Sequence, residues 1–152
     1  MKINLVCIFF IGLSLSACKT ATTTHNSQNL PEKERITEKY WKLIEINGNP
    51  VVANELSGRE PHIVLKDEDR RLTGTGGCNQ FIGTYELGQG ARITFSKVAT
   101  TQMACPNMET EIAMARVFEA VDNYTLSADG KYLSLNKARM APLARFELVC
   151  LK

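Results

Sequence analysis

Gly74-Thr75-Gly76-Gly77-Cys78-Asn79-Gln80-Phe81 is the stretch around which the chain is organised, and its partner further on is Thr100-Thr101-Gln102-Met103-Ala104-Cys105. Each carries one cysteine, and each lies where a β pattern breaks off. Glycine accepts positive φ and lets another backbone come close, so three glycines in four positions mark a sharp change of chain direction. A cysteine just after such a turn is held in a defined place. The two segments are therefore expected to meet through a Cys78–Cys105 disulfide.

Working outward, Tyr40–Ile46 is rich in aromatic and β-branched residues and reads as a first strand, broken by Asn47-Gly48-Asn49-Pro50. Val51-Val52 extends its edge, and 54–61 reads as a loop. His62–Lys66 is a second strand, and Arg71-Leu72-Thr73 begins a third that runs into the glycines. Phe81–Leu87 and Arg92–Phe95 follow, with a loop over 96–106. The period then changes. Met114, Val117, Phe118 and Val121 fall at i, i+3, i+4 and i+7, the stripe of an amphipathic helix placed at 107–122. Asn107 is the expected N-cap, with Glu109 and Glu111 in the first turn, where the helix dipole favours acids. Tyr124–Ser127, the Ala128-Asp129-Gly130 turn, Lys131–Asn136 and Leu143–Leu151 complete the chain. The expected fold is mainly β (β-rich α+β): a small antiparallel, barrel-like curled sheet of about seven or eight strands with one packed α-helix. Curling removes the sheet's open edges.

The N-terminus carries an address. Lys2 precedes a mostly apolar run, Ile3–Leu15, of signal-peptide length. Leu15-Ser16-Ala17-Cys18 looks like a bacterial lipobox, which sets residues 1–17 as a lipoprotein signal peptide cleaved between Ala17 and Cys18, with Cys18 lipidated. Several acyl chains on one residue anchor a protein stably, at about 0.8 kcal/mol per buried CH₂. Lys19 after the cysteine favours the outer membrane of a Gram-negative host, facing the periplasm. Residues 18–38 read as the lipidated N-terminus and a polar tether, and 39–152 as one domain. The formal charge is +2 and the basic residues are scattered, which argues against a nucleic-acid partner.

The motifs Trp41-Lys42-Leu43, Gly76–Phe81, Gly83-Thr84-Tyr85 and Ala99–Cys105, followed by Glu111 and the apolar helix, resemble the META domain, the HslJ-like family of heat-shock lipoproteins. The likeness spans roughly residues 40 to 150. It implies a small exported β-rich domain with a barrel-like sheet and a helix, tied to heat or antibiotic stress. It implies no catalytic residue, cofactor or ligand, and its motifs include Cys78 and Cys105 but not Cys150.

In an exported domain Cys78, Cys105 and Cys150 leave three pairings open. Cys78–Cys105 is favoured by turn chemistry and by the resemblance, with Cys150 a small buried hydrophobe in the last strand or a thiol that exchanges with the other two. Rival chemistries are a Cys₃His metal set with His62, a cysteine nucleophile or redox thiol, a methionine surface of Met103, Met108 and Met114, and a small-ligand carrier in the barrel mouth. No hydrolase, metalloprotease or phosphate-loop signature is present. The expectation is a non-enzymatic, membrane-anchored module without cofactor or metal, whose partner is an envelope protein or small molecule. Asn79, Gln80 and Phe81 are the candidate contact tip.

Overall fold

The computed structural model describes residues 35–51 and 59–150. The signal peptide, Cys18, most of the tether, most of the 54–61 loop and Leu151 lie outside the described residues.

Among the described residues, nine strands and one helix follow in order: β1 (Tyr40–Ile46), β2 (Asn49–Pro50), β3 (His62–Lys66), β4 (Arg71–Thr75), β5 (Gln80–Gly88), β6 (Arg92–Thr100), α1 (Glu109–Ala120), β7 (Asn123–Leu126), β8 (Tyr132–Asn136) and β9 (Ala144–Val149). The sheet order is β2-β1-β3-β4-β5-β6-β7-β8-β9, and β1 also pairs with β9, so the sheet closes into a ring. Every pairing is antiparallel, as the tight turns require. The two-residue β2 folds back on β1 through Asn47 and Gly48, both at positive φ (50° and 79°). Asn-Gly adopts that geometry at little cost.

Closure needs one face of each strand to be apolar. Trp41, Leu43, Ile63, Leu65, Leu72, Phe81, Tyr85, Ile93, Leu133, Leu135 and Phe146 point inward and are buried. The barrel axis is therefore filled with side chains. The helix contributes Met114, Val117 and Phe118, and Val121 follows it into the core. Phe118 meets Phe81 and Phe95 edge-on, with centroids 5.3 and 5.1 Å apart, an arrangement aromatic quadrupoles favour.

The helix is shorter than its expected 107–122. Asn107 Oδ1 does accept from Glu109 N–H at 2.9 Å, but the residue flanking the helix is Met108. Two further boundaries moved. Ile36–Glu38, expected in the tether, belong to the domain. Ile36 and Thr37 are buried, Trp41 Nε1–H donates to Ile36 O at 2.7 Å, and Thr37 Oγ1 donates to Asp67 at 2.9 Å. Residues 96–100, expected as loop, continue β6.

Tyr85 shows what closure does to a polar core residue. It is 1% exposed, and its hydroxyl donates to Lys66 O at 3.1 Å. Burial, and then the carboxylate of Asp67, push the phenol well above its ordinary range. The folded phenol thus holds its proton where the unfolded one loses it. Stability contributed by Tyr85 is intact below about pH 10 and falls as pH rises through that value. Urea unfolding between pH 8 and 11 should show this loss, and Tyr85→Phe should flatten it.

Candidate functional site

The glycine stretch becomes the end of β4, a turn and the start of β5. Thr75 Oγ1 donates to Asn79 O at 2.7 Å and accepts from Gly77 N–H at 3.1 Å. Gly77 sits at φ 124°, a conformation that suits glycine. Gly76 has a separate reason to lack a side chain. A Cβ there would lie 2.7 Å from Glu111 Cα, so the turn touches the α1 backbone.

Asn79 is the centre of the arrangement. It is 1% exposed, and Glu111 is 5% exposed. The Asn79 side-chain oxygen accepts from Thr101 Oγ1 and from Met103 N–H, both at 2.8 Å. Its Nδ2 donates to Met103 O at 3.2 Å and to Glu111 Oε2 at 3.3 Å. Its backbone N–H donates to Glu111 Oε1. One amide therefore uses both acceptor and both donor positions. It ties together the β4–β5 turn, the segment after β6 and the first turn of α1. The buried Glu111 carboxylate meets N–H donors in place of a cation, which is how a buried carboxylate is tolerated.

Cys78 and Cys105 are joined by a disulfide beside this knot, with Cα atoms 6.5 Å apart. Both are half-buried.

The candidate contact tip is corrected by this geometry. Asn79 and Phe81 are buried, and only Gln80 is exposed. Asn79 faces the knot, and Phe81 packs on Phe118 in the core. Cys150 is exposed and free rather than a buried hydrophobe. The Cys₃His set is not assembled, since two of its thiols are bonded to each other. Met114 is a core residue, while Met103 and Met108 are exposed, so the three methionines do not form one surface. His62 stacks on Tyr40 at 4.3 Å, and its Nδ1 lies 2.9 Å from Glu60 O.

Among the described residues, two concavities on the barrel wall bear on the site. One, of about 260 Å³, is bounded by His62, Thr73, Gln80 and Ile82 on β3–β5 and by Arg59 ahead of β3, and neither bridged cysteine lines it. The other, of about 310 Å³, separates β6 from α1.

Comparison with known proteins agrees with this architecture. The META domain family matches over residues 34–149, and the chain belongs to that family. The match begins before residue 39, in keeping with the packing of Ile36 and Thr37. Two solved structures share the fold. One NMR structure is 22% identical with a TM-score of 0.59, covering 78% of this chain and 96% of its own. The NMR structure of a protein from Burkholderia xenovorans is 19% identical with a TM-score of 0.61, covering 82% and 88%. No curated protein matches. In the sequence Glu111 reads as a helix-dipole partner and as one position of the META motif series, without a partner of its own. Its real partner, Asn79, lies 32 positions away, and a lone acid at a helix start gives no sign of that.

Proposed function

We propose that this META domain works as a non-enzymatic binding or scaffolding module of the bacterial envelope, anchored through a lipidated Cys18 at the outer membrane. The observation that carries the reading is how the two cysteine motifs are used. Their thiols are bonded to each other, and the Asn79 amide has all its hydrogen bonds inside the fold. Groups that could have formed a reactive centre hold three segments together instead. The filled barrel axis further supports a rigid body over a carrier. Loops and surfaces on such a body are where partners bind. A role in heat or antibiotic stress fits the family.

Titration of free thiols in the native protein separates this from a redox or cysteine-enzyme reading. Only Cys150 should react at once among the three domain cysteines. Two rapidly modified thiols at positions 78 and 105 would favour the rival. The anchor has its own check. Cys18→Ala should yield an unlipidated precursor that leaves the membrane fraction, and unchanged mass and partition would remove the anchor from the reading.

A further inference from the structure

We propose that the free edge of β6, together with α1, binds a short extended peptide segment of a partner protein by strand addition. This deepens the module reading by giving it a partner surface, and it rests on that reading.

The barrel closes unevenly. β5 and β6 pair from Phe81↔Thr100 to Gly88↔Arg92. Among the described residues, β6 pairs on its other side with β7 at one position, Arg92↔Asn123. Ile93 N–H crosses that seam to Asp122 O at 3.2 Å. Antiparallel alternation puts the N–H and C=O of Phe95 on the same edge. Further on, Thr101 N–H donates back to Gln80 O at 3.2 Å, so the backbone groups of Thr100 also point away from β5. Beyond Ile93 that edge faces α1 in place of a described strand.

The space between is the 310 Å³ crevice. Phe95, Val98, Ala115 and Phe118 give it apolar walls, and Lys97 and Glu119 stand at its rim. An edge of backbone donors and acceptors is complemented by another extended backbone, and the walls accept a side chain from every second residue. A groove between a strand edge and a helix thus selects a peptide in extended form.

The same geometry disfavours a second copy of the chain. The ladder shifts register between Ile82 and Thr84, opposite Lys97 and Val98, and Lys97 sits at φ 53°. Bulges and edge lysines resist long, flat strand pairing. In a symmetric pair, both copies would bring a helix to the same seam. A segment of a few residues brings no helix of its own to the seam, and a short chain with no strand neighbours can follow the bend at Lys97.

The test pans the full-length protein against a displayed library of random dodecapeptides, then maps selected synthetic peptides by amide NMR. Shifts should concentrate at Phe95–Thr100 and at Ala115, Phe118 and Glu119. The amides of Phe95 and Thr100 should gain protection from exchange. N-methylation of alternate peptide bonds should weaken binding about tenfold or more, because it removes ladder donors. Ala115→Trp, which fills the crevice, should abolish binding, and a melting curve would show whether that variant is folded. The proposal is overturned by no selected peptide, by shifts elsewhere on the barrel, by indifference to N-methylation, or by displacement of the peptide by concentration-dependent dimers. Competition by a fatty acid that produces the same shifts would assign the crevice to lipid instead. Membrane partition and thiol titration are unaffected by any of these, so a failure here is distinct from a failure of the anchored-module reading.

Discussion

Replacing Asn79 by alanine is expected to lower the unfolding free energy by about 3–5 kcal/mol, among the larger effects a single substitution has. The change removes four side-chain hydrogen bonds. It leaves the buried Glu111 carboxylate short of one donor and Met103 N–H without its acceptor in a part-buried place. Orphaned buried groups cost more than the lost bonds themselves, about 1–3 kcal/mol each and more when charged. Asn79→Asp sharpens the test. It keeps the shape but puts an oxygen where Nδ2 donated to Glu111 and Met103, so the similar shape should not restore stability. Urea unfolding at pH 7 measures both variants. Full stability in Asn79→Ala would mean that the knot is a consequence of the fold and not one of its supports.

The second large effect concerns the disulfide. Cys78 and Cys105 are 27 positions apart, and closing a loop of that length stabilises by about 3.5 kcal/mol in the chain-entropy account. The double substitution Cys78→Ala with Cys105→Ala should therefore lower the urea midpoint by an amount equivalent to about 2–4 kcal/mol. The bridge and the Asn79 knot fasten the same two segments. Their losses should not add, and a double-mutant cycle should show coupling between them. Strict additivity would mean that the two act on separate parts of the domain.

These expectations rest on residues whose roles were unequally visible in the chain. The Met114, Val117, Phe118 stripe and the alternation of Trp41 and Leu43 placed the helix and the first strand directly, because each reports one buried face at one period. Cys78 after its glycines and Cys105 in the loop before the helix pointed to their own meeting. Residues 96–100 were misjudged because the bulge at Lys97 and Val98 shifts the alternation, and most of that segment is exposed on both faces. Asn79 looked like a turn-tip residue for a related reason. Nothing within ten positions shows that Met103 and Glu111 will close over it. Its burial depends on contacts 24 and 32 positions away, and single-sequence pattern carries no such distance.

The β1–β9 seam places Tyr40 opposite Val149, so the two ends of the barrel's chain are neighbours. Tension applied between those ends would part the seam one rung after another. Tension drawn along the strand through Arg35 alone has to slide β1 past both β3 and β9 together. Under the anchor proposed at Cys18, a load entering at the leading end would draw β1 past two neighbours at once instead of unzipping one seam.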